Sequence, residues 1–141
     1  MNRLDPYNLE RFVEAQAIFY QQVLQELHAG KKTGHWMWFI FPQIRGLGYS
    51  PMAQRFAISG RAEAESYLQH PVLGPRLTEC TRLINQLDGR SIEDILGNID
   101  SLKFRSSMTL FAQVAKNNQI FVEGITKYCS GEFDELTLVK L

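Results

Sequence analysis

The sequence has no excess of charge of either sign. Its 15 lysines and arginines balance its 15 aspartates and glutamates, so the formal net charge is zero at pH 7. Proteins that bind duplex nucleic acid mainly through phosphates carry a basic excess. The charge balance therefore argues against nucleic acid as a partner.

Cysteine and histidine are scarce. The only cysteines, Cys80 and Cys129, lack C-x-x-C spacing and a neighbouring histidine. They are therefore interpreted as buried structural thiols rather than metal or redox groups. The three histidines, His28, His35 and His70, do not form a zinc-binding pattern. The sequence predicts no metal and no cofactor.

Long hydrophobic runs are also missing. The longest, residues 36–41, has six residues, whereas roughly 18 are needed to span a bilayer. Residues 1–6 lack the apolar region of a signal peptide. These features predict a protein without a membrane association, located in the cytoplasm.

The remaining composition is that of a globular protein. Of 141 residues, 45% are hydrophobic and 21% charged, which predicts a single helical domain over residues 1–141 with its own core. Apolar residues recur at helical spacing over about 8–28, 50–58, 61–69, 72–87, 100–116, 119–129 and 134–139, with a short turn capped by Ser91. The predicted fold is a compact, multihelical all-α domain with one irregular, aromatic-rich segment near residues 31–49.

That segment contains the first candidate site. Between Gly34 and Pro42 it places two tryptophans and two phenylalanines, which pack either as a central core plug or as a pocket wall. In the second interpretation the polar rim contains His35, whose ring exchanges protons near neutral pH and makes it the candidate catalytic acid or base. The candidate ligand-binding residues here are Trp36, Trp38, Gln43 and Arg45.

A glycine-rich loop follows and leads into a helix. Gly46, Gly48 and Ser50 precede the predicted helix start, where unpaired N–H groups attract phosphate or carboxylate. The loop lacks the lysine of a P-loop and the strand–helix–strand frame of a dinucleotide-binding fold. A plain turn is the favoured interpretation, and an anion site is the alternative.

The third candidate lies in residues 103–109. This stretch places two cations and three hydroxyls on the first turns of a predicted helix. Either these side chains are solvated surface or they form an anion-facing wall. The candidate ligand-binding residues are Lys103, Arg105, Ser106 and Ser107.

Four ordered motifs carry a family resemblance. Residues 35–43, 46–50, 70–77 and 103–111 together are similar to the domain of unknown function 1810 family, and the similarity extends from about Leu9 to Leu141. The resemblance implies a single-domain, multihelical all-α fold without an established activity. Members of that family are often labelled calpastatin, a label for a disordered inhibitor that does not suit a folded, aromatic-rich chain.

Two functional hypotheses follow. The first is a site that binds, and through His35 acts on, a small anionic metabolite such as a nucleotide or an ADP-ribose-like compound. It predicts that His35, Gln43, Lys103 and Ser107 lie in one cavity. The second is a non-catalytic protein–protein interaction module, which predicts an exposed apolar patch and a protein partner.

Overall fold

The computed structural model describes residues 4–141, and helices dominate this range. The helices are α1 (Glu10–Ala29), α2 (Met37–Ile40), α3 (Pro51–Arg55), α4 (Arg61–Gln69), α5 (Leu73–Gln86), α6 (Ile92–Leu96), α7 (Asn98–Val114), α8 (Gln119–Tyr128) and α9 (Glu135–Lys140). No strand occurs in the described part of the chain, where Ile44 and Ile58 form one isolated parallel bridge. The predicted all-α fold is confirmed.

Local capping explains where α1 begins and ends. The Asp5 carboxylate accepts hydrogen bonds from the N–H groups of Leu9 and Glu10 at 2.7 and 3.0 Å, which satisfies donors that the first turn leaves free. At the other end Gly30 adopts φ 73°, and its N–H bonds to the carbonyls of Glu26 and Leu27. Glycine adopts this left-handed conformation at little cost, because it has no Cβ, and so closes the helix.

Helix α7 is the central element. It packs against α4, α6, α8 and α9, while α5 packs against α1, α4 and α8. Its side chains at Phe104, Met108 and Phe111 are fully buried, as the helical spacing of these residues predicts. Because α7 crosses the core, its N-terminal and C-terminal ends can each border a surface cleft.

The aromatic segment contributes directly to this core. The ring of Phe41 lies 6.4 Å from that of Trp36 and 5.5 Å from that of Phe104. Phe39 packs on Phe56 at 5.4 Å. Trp36 is completely buried, whereas Trp38 is only half-buried. The segment therefore contains both predicted arrangements: Trp36 belongs to the core plug, and Trp38 forms part of the wall of a surface cleft.

The two cysteines are free thiols. Burial raises the pKa of Cys80 to about 12 and that of Cys129 to about 11, so both stay protonated and weakly nucleophilic near neutral pH. Within residues 4–141, no three histidine, cysteine or acidic side chains assemble as metal ligands. No helix in this range has the length and apolar composition to cross a membrane.

Candidate functional site

A cleft of about 460 Å³ opens between the loop after α1 and the start of α7. Residues 32–35, 37 and 38 form one side, and residues 96–100 and 103, at the junction of α6 and α7, form the other. The backbone N–H of Lys32 donates to the carbonyl of Ile95 at 2.7 Å. This bond joins the two sides, so the cleft has a defined shape.

A buried carboxylate holds the loop in place. Oε1 of Glu26 accepts hydrogen bonds from the N–H groups of Thr33 at 2.7 Å and Gly34 at 2.9 Å, and from Nε1 of Trp36 at 3.0 Å. Oε2 accepts from Gln22 at 2.7 Å. Burial alone would raise the pKa of Glu26, but these four donors outweigh it and lower the pKa to about 2. Glu26 is therefore ionised and fixes the backbone that carries His35.

Two lysines share one carboxylate inside the cleft. Nζ of Lys32 lies 2.7 Å from Oδ2 of Asp100, and Nζ of Lys103 lies 3.3 Å from Oδ1 of the same residue. Lys103 also lies over the ring of Trp38, 5.0 Å from its centre. These three side chains alone carry one positive charge in excess, at a partly buried position where charges interact more strongly than in water. The ionised Glu26 lies behind the loop, where the N–H groups of Thr33 and Gly34 already bind its carboxylate.

The N-terminus of α7 adds to this positive potential. Gly97 precedes the helix with φ 90° and ψ 162°, and no side chain caps the first turn. The N–H groups of Ile99 and Asp100 therefore lack the partner that a serine or aspartate cap would provide. These N–H groups carry the partial positive charge of the helix dipole, and Gly97, Asn98 and Ile99 all line the cleft. The combination suits an anion.

Three of the candidate residues from the sequence meet in this cleft. His35, Trp38 and Lys103 all line it, and the side chain of His35 is exposed at its rim. Trp36 instead lies in the core. Ser107 is fully buried with no partner for its Oγ among the described residues, and it does not line this cleft.

The candidates around the glycine loop lie beside the cleft. Gln43, Gly46 and Gly48 line a small pocket on the other side of Trp38. The side chain of Arg45 is exposed. Oγ of Ser50 caps α3 by accepting a hydrogen bond from the N–H of residue 53 at 3.2 Å. The structure thus favours the plain-turn interpretation for residues 46–50.

The candidates further along α7 bind the C-terminal segment of the chain. Nε of Arg105 donates to the carbonyl of Glu132 at 2.8 Å, and Nη2 donates to the carbonyl of Phe133 at 3.2 Å. Oγ of Ser106 lies 3.3 Å from Oδ2 of Asp134. Oγ1 of Thr109 accepts the N–H of Asp134 at 2.9 Å. These contacts attach α9 to α7.

The attachment of α9 yields a first prediction. Thr109→Val keeps the shape of the side chain and removes the acceptor of the Asp134 N–H, so we expect a loss of about 1–3 kcal/mol in the free energy of unfolding. Urea denaturation measures it. Thr126→Val, at an exposed position of α8, is the matched control and should change little. Equal stability of the two variants would contradict this role of Thr109.

Sequence reasoning missed Glu26, Lys32 and Asp100. Lys32 follows α1 and suits the helix dipole, while Asp100 suits a helix start, so each has a sufficient local explanation. Their contact joins residues 68 positions apart, and no local pattern reports such a pair. For Glu26 the sequence offers one signal: it is the only acidic residue on the buried, largely apolar face of α1.

Comparison with known proteins places the chain in a family. The family model described as "Protein of unknown function (DUF1810)" matches residues 6–141. The chain belongs to the DUF1810 family. The resemblance inferred from the four motifs is thereby confirmed. The fold is also similar to the crystal structure of the conserved hypothetical protein Rv1873 from Mycobacterium tuberculosis, with a TM-score of 0.96 and 58% sequence identity over 97% of this chain and 98% of that chain. None of the curated proteins matches the chain.

Proposed function

We propose that this DUF1810 protein binds a small anionic metabolite, of the nucleotide or ADP-ribose class, in the cleft at the start of α7. The observation that carries the proposal is the uncapped N-terminus of α7 beside Lys32 and Lys103. Free helix N–H groups and two ammonium groups together bind a phosphate more strongly than either feature alone.

The rest of the cleft supports a ligand larger than phosphate. Its volume of about 460 Å³ falls within the range of roughly 300–1,000 Å³ that is typical of small-molecule sites. Trp38, Met37 and Ile99 provide apolar lining next to the charged cluster. A ligand with a ring attached to phosphate would place the phosphate at the helix N-terminus and the ring against Trp38.

His35 is the residue proposed to act on the bound ligand. Its imidazole lies at the rim, on the loop that Glu26 holds, and it can donate or accept a proton from that position. The candidate reaction is thus one of proton transfer to or from an anionic ligand. The cytoplasmic location predicted from the sequence fits a ligand of this class and is part of the proposal.

A thermal-shift screen against ADP, NAD, ADP-ribose and glucose 6-phosphate tests the binding. A ligand at about a hundred times its dissociation constant adds roughly 2.7 kcal/mol, which raises the melting temperature of a protein of this size by about 5–10 °C. We expect Lys103→Met to weaken binding about tenfold and so to halve the shift.

Lys140→Met is the matched control, because it removes the same charge from an exposed side chain of α9 that does not line this cleft. It should leave the thermal shift of the wild type unchanged. If a ligand stabilises both variants equally, the cleft at the start of α7 is not its site. If no compound stabilises the wild type, the interaction module becomes the better interpretation.

That alternative is favoured by one observation. The first turns of α7 expose two large apolar side chains, with Ile99 74% and Leu102 66% exposed. Exposed apolar side chains in groups mark surfaces for partner proteins. A non-catalytic interaction module would use this face, and Leu102→Ser would then abolish partner capture without changing the metabolite screen.

A further inference from the structure

A second and larger cleft lies at the opposite end of α7. It encloses about 720 Å³ between α4, α5, the α7–α8 turn and α8. Helix α7 has 17 residues and is therefore about 25 Å long, so the two clefts are separate sites. No residue of the 720 Å³ cleft belongs to the proposed anion site, and an inference about it is independent of that proposal.

Three charged side chains in this cleft have no ion-pair or hydrogen-bond partner within residues 4–141. Glu65 comes from α4, Arg82 from α5 and Lys116 from the turn after α7. Glu65 is half-buried, whereas the two cations are exposed. A half-buried carboxylate without a partner is only partly solvated. A cationic group of a ligand would therefore gain more from Glu65 than from an ordinary surface acid.

The floor of the same cleft is apolar and well fixed. Phe121 is buried and Ile120 is partly buried beneath the charged side chains. Nδ2 of Asn85 donates to the carbonyl of Ile120 at 3.0 Å, which ties α8 to α5 under the cleft. The side-chain amides of Gln69 and Gln86 also line it. Neutral amides both donate and accept hydrogen bonds, as peptide groups require.

We infer that this cleft binds a short peptide of two or three residues with free amino and carboxyl ends. Its ammonium group pairs with Glu65, its carboxylate with Arg82 and Lys116, and an apolar side chain packs on Phe121. A volume of about 720 Å³ falls within the range of roughly 300–1,000 Å³ that is typical of small-molecule sites. This space suits a peptide of two or three residues rather than a longer chain.

Titration of the ¹⁵N-labelled protein with the tripeptide Ala-Leu-Ala, followed by NMR, tests the inference. We expect saturable shifts of the amides of Ala115, Lys116 and Ile120. N-acetylation of the peptide removes the group that pairs with Glu65, and C-amidation removes the group that pairs with the two cations. Each modification should weaken binding about tenfold.

Two variants distinguish binding in the 720 Å³ cleft from binding in the cleft at the start of α7. Glu65→Gln should weaken the free and the C-amidated tripeptide about tenfold and leave the N-acetylated tripeptide unchanged. Lys103→Met, in the other cleft, should leave all three affinities unchanged. Absence of saturable shifts, equal affinity for free and modified peptides, or shifts confined to residues 32–38 and 96–103 would each overturn the inference. The first two outcomes leave metabolite binding at the start of α7 untouched, because that site has none of its residues in the 720 Å³ cleft.

Discussion

Glu26→Gln is expected to lower the free energy of unfolding by about 3 kcal/mol at pH 7. The carboxylate accepts four hydrogen bonds, and its pKa is lowered from 4.5 to about 2. One pKa unit corresponds to about 1.4 kcal/mol of preference for the charged form in the folded state. Glu26 is also only 9% exposed, so water screens these bonds little. Urea unfolding of wild type and variant measures the difference.

The pH dependence of that difference has a definite sign. A group with a lowered pKa in the folded state stabilises the protein above its unfolded pKa and loses this contribution as pH falls. The advantage of wild type over Glu26→Gln should therefore be complete above about pH 4.5 and shrink towards pH 2. Glu14→Gln, at an exposed position of the same helix, is the control and should change stability by less than about 0.5 kcal/mol at every pH. A pH-independent difference for Glu26→Gln would contradict the ionised, hydrogen-bonded state.

Gly74→Ala is expected to destabilise the protein by about 3 kcal/mol. Gly74 lies in the first turn of α5, where alanine would ordinarily stabilise a helix by about 1 kcal/mol. A Cβ at this position would stand 2.1 Å from the carbonyl oxygen of Leu68 in α4. Since that oxygen is backbone, the clash is relieved only by moving the two helices apart, and the cost of overpacking exceeds the gain in helix propensity. Thermal and urea unfolding both report the loss.

Gly60→Ala is the control for this substitution. Gly60 precedes α4 and has open space around the position of a Cβ, so its replacement should cost less than about 1 kcal/mol. Equal stability of Gly74→Ala and Gly60→Ala would contradict the close contact between Gly74 in α5 and the Leu68 carbonyl in α4.

Helices with clear periodicity were predictable from the sequence. The boundaries of α4 at residues 61–69 were predicted to the residue, and Ser91 forms the expected capping box with Asp94. The predicted helix at 50–58 ends earlier, at Arg55. It ends there because the N–H of Ile58 donates to the carbonyl of Gln43 at 2.8 Å. A long-range bond of this kind overrides local propensity.

The aromatic segment shows a different limit of prediction from sequence. Six consecutive apolar residues contain no period, so the sequence could not assign Trp36 to the core and Trp38 to the wall of a cleft. Trp36 precedes α2, whereas Trp38 lies within it, and only the position of α2 in the fold decides which of the two side chains is buried. The partners of Arg105 and Glu26 were unpredictable for another reason. Arg105 donates mostly to backbone carbonyls, and Glu26 accepts two of its four hydrogen bonds from backbone N–H groups. Backbone groups of this kind occur throughout the sequence, so they leave no pattern.

The first turn of α7 is the proposed anion site, next to Trp38. The most direct test is an NMR titration of the ¹⁵N-labelled protein with ADP-ribose and with inorganic pyrophosphate, observing the amides of Asn98, Ile99 and Asp100. We expect both compounds to shift these amides saturably, ADP-ribose to shift the indole N–H of Trp38 as well, and Lys103→Met to weaken both about tenfold. If neither compound moves these amides, or if their shifts are the same in Lys103→Met, the anion site at the start of α7 does not exist.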